Sequence, residues 1–496
     1  MATARSSGFG FATRLGRANT RLVNILAIDQ GTSATKALVV APGGVVLGQA
    51  EVAVHPRVVG SDGVEQDPEE LWQSVMAAGR AALDAAGVPV GTIGVANQGE
   101  TVLAWDRASG RPLSTALSWQ DRRARGVCER LAEHAAELGV RTGLPLDPYF
   151  AAPKMAWLRE HVTRAGVVTT TDAWLVQRLT GAYVTDAATA SRTSLLDLDR
   201  GAWSPEACEI FGVDPGALPA IVGCAEPVGE TMAFGGRLPV TGLAVDQQAA
   251  LFAEGCLDPG EAKCTYGTGA FLLATVGAQA HRSAAGLVAC IAWRLGAATT
   301  YCLDGQVSTA GAAIRWLERV GLLADAGALD ATAGAVDSAA GVVFVPALAG
   351  LAAPFWKPAA RGTFVGLTLA TERGHLVRAV LEGIAAQVAA LAAAVEADLG
   401  TPLVCLRVDG GLTRSRVLLQ AQADLLQRPI EVYPSPHATA IGVAALARLG
   451  VGAVATARDS IGAWRPVVVY EPRIDAAEAA DRLARWQRTA TTASEL

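Results

Sequence analysis

Short apolar runs that end on turn chemistry dominate the start of the chain. Residues 25–29 (ILAID) are four apolar positions closing on Asp29, residues 36–40 are an apolar return, and 45–54 alternate. Gly31 and the Pro42-Gly43-Gly44 stretch separate these runs, so the pattern predicts a three-stranded meander. Next comes VEQDPEELWQSVMAAGRAALDAAG, with Asp67 suited to the N-cap, Pro68 to the first turn, Glu69 and Glu70 to the positive helix end, and Gly87 to the stop. Apolar runs at 92–98 and 101–105 predict two more strands, giving a β-β-β-α-β opening.

The second half echoes the first. AKCTYGTGAFLLATVG (262–277) reads as a strand, a Gly-Thr-Gly turn and an apolar return strand. Strands are expected at 287–295 and 299–305, a helix over STAGAAIRWLERVG, a long helix over 375–398, and a strand at 403–411 closing on Asp409-Gly410-Gly411. Two related domains follow from this echo, with the boundary near 245–260. The division expected is a tail at 1–22, an N-terminal domain at 23–250, a C-terminal domain at 251–455 and an extension at 456–496.

Composition narrows the function. A chain of 496 residues is too long for one core. Its formal charge of -6 gives no support to nucleic-acid binding. No uninterrupted apolar run reaches the roughly 18 residues that span a bilayer, so no membrane insertion is expected. The eight cysteines form no CxxC pair and no zinc-like spacing with histidine, and read as reduced, buried small residues in a cytoplasmic protein. Residues 1–21 are rich in Arg, Ser and Thr and lack acids, which fits a transit peptide; a disordered tail or a start codon placed too far upstream is preferred.

Phosphate chemistry is the sharpest candidate. The four lysines follow Thr35, Pro153, Ala262 and Trp356, so there is no P-loop, and no GxGxxG opens a helix after a strand. Two Gly- and Thr-bearing hairpin turns remain. Their backbone N–H groups can face phosphate oxygens while glycine lets the main chain approach. Asp29 is then the candidate carboxylate for Mg²⁺, which keeps most of its waters and needs only one or two.

With these residues in view, AIDQGTSATKALV resembles the opening of the FGGY carbohydrate kinases, nearest their glycerol-kinase branch. The likeness extends over about residues 24–450. It continues through NQGETVLAWDRASGRPLSTALSWQDRR, GLPLDPYFAAPKMAWL, VTDAATASRTSLLDL, GLAVDQQAALFAEGCLDPGEAKCTYGTGAFLL, FVPALAGLAAPFWKPAARGTFVGLT and GHLVRAVLEGIA. The resemblance implies an α/β fold of two RNase-H-like, actin-like ATPase domains with a deep interdomain cleft. It also implies ATP with Mg²⁺, a small polyol or sugar as acceptor, and a homodimer or homotetramer. The activity implied is ATP-dependent phosphorylation of a terminal hydroxyl, as in glycerol to glycerol 3-phosphate.

Carried over residue by residue, the resemblance makes Asp246 the general base and Asp29 the metal carboxylate. Gly99, Glu100, Trp119, Tyr149, Asp246, Gln247 and Phe271 fall on acceptor positions. Thr32, Ser33, Lys36, Gly267 and Thr268 fall on phosphate positions, and Gly311, Arg315, Gly411 and Ser415 on adenosine positions. The ordinary alternatives are an N-cap for Asp246, an exposed strand lysine for Lys36, and core packing for Trp119 and Phe271. Four departures matter: Lys36 stands for the usual Arg, Arg315 and Ser415 for amides, and Gly99 for an Arg that contacts terminal hydroxyls. The last opens a space beside Glu100, to be filled by a longer polyol or ketose or by another arginine such as Arg122 or Arg123, or else leaves glycerol weakly bound. Lys357 replaces a usual Asp without a derivable consequence. A non-enzymatic sugar sensor is the rival from another class, disfavoured because both Asp29 and Asp246 are present.

Overall fold

In the computed structural model, which describes residues 23–493, the opening runs form the meander Ile25–Gln30, Ala34–Val40 and Val46–Ala53. The tail at 1–22 lies outside the described residues. Asp67 caps the helix Pro68–Ala86 by accepting from Glu69 N at 2.9 Å, and Gly87 ends it at φ 61°. The sheet order is Gly229–Thr231, Leu238–Val245, Thr92–Asn97, then the meander. Ile25–Gln30 is antiparallel to its hairpin partner and parallel to Thr92–Asn97.

The second sheet repeats that plan. Ala262–Tyr266 is antiparallel to Ala270–Gly277 on one side and parallel to Leu406–Asp409 on the other. Val288–Leu295 and Ala298–Val307 extend the hairpin edge, and Ile430–Val432 with Val469–Tyr470 extend the parallel edge. The last segment is thus woven into this lobe: Val469–Tyr470 completes the sheet, and Trp486, on the helix Ala476–Ala493, donates its Nε1–H to Phe344 O at 2.9 Å. One expected strand lies elsewhere. Val102–Trp105 belongs to a separate five-stranded sheet with Arg57–Val59, Gly63–Gln66, Ala116–Leu117 and Val167–Thr170.

Among the described residues, Arg373–Leu399 is one helix long and apolar enough to cross a bilayer. A run-by-run reading passes over it because Arg378 and Glu382 interrupt the apolar string. Val380, Leu381, Ile384, Val388 and Leu391 are nevertheless all fully buried in the second lobe's core.

Two helices join the lobes. Asp246–Ala253 leaves the first sheet and packs under the second, while Ala438–Gly450 comes from the second half and lies on the first sheet. They cross backbone to backbone: a Cβ at Gly442 would sit 1.8 Å from Ala249 O. Gly94 gives the sheet the same closeness, since a Cβ there would meet Val443 O at 2.6 Å. Gly442→Ala therefore wedges the helices apart and is expected to cost about 1–3 kcal/mol or more in denaturant unfolding, with a fall in turnover because Asp246 opens one of them. An unchanged unfolding midpoint would show slack at that crossing.

Candidate active site

Both hairpin turns project into the cleft between the sheets. In the first, Gly31 N donates to Ala34 O at 3.0 Å, and Ser33 at the tip is exposed. Three buried glutamines brace it: Gln98 Nε2 donates to Gln66 Oε1 (2.9 Å) and Gln30 Oε1 (3.3 Å), and Gln66 Nε2 donates to Thr32 O (2.8 Å). In the second turn, Gly311 N donates to Gly267 O, and Ala310 N and Ala312 N to Thr268 O, each at 3.0 Å. The helix Gly311–Arg319 thus starts directly on that turn, and a Cβ at Gly311 would meet Gly267 O at 2.6 Å.

A cavity of 340 Å³ lies between the turns. Its walls bring together Thr32, Ser33, Gly99, Glu100, Trp119, Tyr149, Asp246, Gln247, Gly267, Thr268, Phe271 and Arg315 from the sequence-derived set. Trp119 packs edge-on against Tyr149 (5.8 Å between centroids) and Phe271 (6.1 Å), so an aromatic wall forms from both halves of the chain. The Trp119 indole also donates to Thr32 Oγ1 at 2.9 Å, tying this wall to the first turn.

Asp246 is the first residue of its helix and accepts from Gln247 N at 2.7 Å, so it serves the helix terminus and faces the cavity together. Its carboxyl is pushed up to about 7, chiefly by loss of bulk water and then by the charges of Asp29 and Glu100; the Gln247 N–H and Lys263 pull the other way. Asp29 is raised to about 6 by burial, partly offset by Lys36. Lys36 is its register partner across the hairpin and lies outside the cavity wall. The buried Lys263 ammonium donates to Gln247 Oε1 (2.5 Å) and Thr265 Oγ1 (2.8 Å), which fixes the Gln247 amide.

The charge of Asp29 disfavours ionisation of Asp246, and a cation held at Asp29 would offset it. No cluster of three metal-ligating side chains occurs among the described residues, and Mg²⁺ does not require one. Asp29 is the carboxylate that would hold it.

Sequence reasoning gave no role to Arg192. It is 4 % exposed, with Nε 2.5 Å from Glu100 Oε1, Nη1 2.6 Å from Asp304 Oδ2 and Nη2 3.4 Å from the Tyr149 hydroxyl. Glu100 itself is held at φ 60°, a region that residues other than glycine rarely adopt. The available signal was a single cation inside an otherwise small and neutral stretch, ATASRTS. The arginines named for this place are engaged elsewhere: Arg122 pairs with Asp147 (2.6 Å), and Arg123 pairs with Asp121 (2.6 Å) and Glu65 (2.8 Å).

The space expected beside Gly99 is narrowed where it begins, although Gly99 and Val245 both line the cavity. A Cβ at Gly99 would lie 2.8 Å from Val245 Cγ2, so the valine methyl stands where a side chain would begin. On the adenosine side the set divides. Arg315 reaches the rim, whereas Ser415 caps the helix Arg416–Leu426, accepts from Leu418 N at 3.2 Å and bonds Asp330. Its side chain is committed away from the cavity. Gly411 opens the short turn Gly411–Arg414, beside Gly410, whose φ of 95° lets it pass 2.4 Å (Cβ-equivalent) from Tyr266 O.

The sequence matches the profile of the FGGY family of carbohydrate kinases, N-terminal domain, over residues 24–253, and that of the C-terminal domain over 262–450. It is 42% identical to a glycerol kinase of Alkalilimnicola ehrlichii over 482 residues, covering 94% of this chain and 97% of that protein. It is 40% identical to a glycerol kinase of Myxococcus xanthus over 485 residues, covering 94% and 98%. The fold superposes on Plasmodium falciparum glycerol kinase with ADP at a TM-score of 0.88 and 30% identity, covering 95% of this chain and 98% of that one. It superposes on the xylulose kinase of Rhodospirillum rubrum at 0.83 and 26%, covering 95% and 99%.

Proposed function

The chain belongs to the FGGY family of carbohydrate kinases and is an ATP-dependent kinase, and from that premise we propose that it transfers the terminal phosphoryl group of ATP to a terminal hydroxyl of glycerol. The observation that carries the choice of acceptor is the crowding of Gly99 by Val245: an apolar methyl narrows the pocket beside Glu100, which favours a short polyol over a longer one. Relatives named glycerol kinase at about 42% identity over nearly the whole chain support the same choice.

The roles follow from chemistry. Asp246, ionised, accepts the proton of the attacking hydroxyl as its oxygen bonds to the γ-phosphorus; the bond from that phosphorus to the β–γ bridging oxygen breaks, and ADP leaves. Glu100, Gln247 and Arg192 hold the acceptor's hydroxyls, and Trp119, Tyr149 and Phe271 cover its C–H faces. The turns at Thr32-Ser33 and Gly267-Thr268 offer backbone and hydroxyl donors to phosphate, with Gly311, Arg315 and Gly411 toward the nucleoside. Lys36 tempers the charge of Asp29. Held by Asp29, Mg²⁺ would supply charge neutralisation to the phosphates. The chain is taken as two domains, 23–250 and 251–455, with 456–493 completing the second.

An acceptor panel coupled to ADP release tests the reading. Glycerol is expected to exceed xylitol, erythritol and xylulose in kcat/KM by at least about tenfold, and Val245→Gly is expected to narrow that gap by admitting the longer acceptors. A longer polyol or ketose preferred by the unmodified protein would replace glycerol as substrate.

A further inference from the structure

Cys290 on Val288–Leu295 and Cys302 on Ala298–Val307 are direct register partners, with Sγ atoms 3.5 Å apart. Both are buried, unbonded thiols. They lie directly behind the acceptor wall: Arg192 Nη1 is 3.6 Å from Cys290 Sγ, and Gln248 Nε2 is 3.5 Å from it. Both of those side chains line the cavity.

We propose that Cys290 and Cys302 form an oxidation site, closed to an intrachain disulfide by a peroxide-class oxidant entering through the cleft, and that closure weakens acceptor binding by withdrawing Cys290 from Arg192 and Gln248. The chemistry balances without another partner. The Cys290 thiolate attacks one peroxide oxygen, giving a sulfenic acid and releasing water once its hydroxide is protonated. The Cys302 sulfur then attacks the Cys290 sulfur, the S–S bond forms, and the sulfenic oxygen leaves as a second water. Each sulfur loses one electron, and the two peroxide oxygens take them up.

The environment divides the labour. The Cys302 thiol and the Arg192 guanidinium favour the Cys290 thiolate and hold it below the usual thiol range, whereas burial raises Cys302. The other six cysteines are raised as well, so Cys290 stands apart. A disulfide needs about 2.05 Å between sulfurs, so the two must draw together. Arg192, shared between Glu100 and Asp304, loses one of its contacts when they do.

The test uses full-length protein treated with hydrogen peroxide, quenched and digested without reductant. Peptides carrying residues 290 and 302 are expected to be joined, acceptor KM to rise several-fold with kcat little changed, and dithiothreitol to reverse both. Cys302→Ala, which leaves the cavity wall intact, is expected to keep the parent's KM after peroxide. The proposal is overturned if the joined peptides do not form, if they form with KM unchanged, or if Cys302→Ala responds like the parent. The effect on KM rests on the acceptor assignment, but the peptide map does not, so the two can fail separately.

Discussion

Asp246→Asn is expected to fold, to bind nucleotide and acceptor, and to transfer phosphoryl groups about 10²–10⁴-fold more slowly. The amide is isosteric and can still accept from Gln247 N, so the start of the helix is kept. What it cannot do is take a proton. The parent's pH dependence should carry the same signature. With a carboxyl raised to about 7, kcat/KM at low substrate rises as pH approaches 7 and then levels off, because only the ionised form is a base. Asp246→Asn lacks that limb. Stability moves the opposite way. A carboxyl whose folded value lies above its unfolded one gives stability below the unfolded value and loses it as pH rises through the folded one. Without Mg²⁺, Asp246→Asn should therefore melt higher than the parent at pH 8, the difference vanishing toward pH 4. Near-parental turnover in this variant would remove Asp246 from the mechanism.

Arg192→Met is expected to be the most damaging change to the acceptor wall. It leaves Glu100 and Asp304 buried without their cation, and breaking such a set typically costs about 3–5 kcal/mol. Acceptor KM should rise by one or more orders of magnitude while nucleotide KM changes little, since the phosphate turns are untouched. Adding Glu100→Gln and Asp304→Asn removes the stranded charges, so the triple variant should regain most of the lost stability without regaining acceptor affinity. Recovery of both together would make Arg192 a purely structural residue. A single variant as stable as the parent would mean the two carboxyls are protonated at rest.

What could be read from the sequence follows the range over which each residue acts. The hairpin turns were legible because an apolar run, a glycine and hydroxyl side chains sit within a dozen residues. The cap at Asp67 and the stop at Gly87 were legible for the same reason. Arg192 was not: its carboxylate partners are 92 and 112 positions away in the chain, and the lone cation in ATASRTS does not say what it pairs with. The bracing glutamines at 30, 66 and 98 were silent for that reason too. The crowding at Gly99 was silent as well, because Val245 arrives on another strand. Ser415 shows the converse. Its place before Arg416–Leu426 is a local N-cap signal, and that local role took its hydroxyl away from the nucleotide side.

Phosphorus NMR of the purified protein with ATP, Mg²⁺ and glycerol tests the central claim most directly. A phosphomonoester of glycerol should grow in step with ADP, with no inorganic phosphate in excess of a no-acceptor control, and Asp246→Asn should show almost none of it. ADP and inorganic phosphate accumulating equally with and without glycerol would contradict an acceptor held beside Asp246.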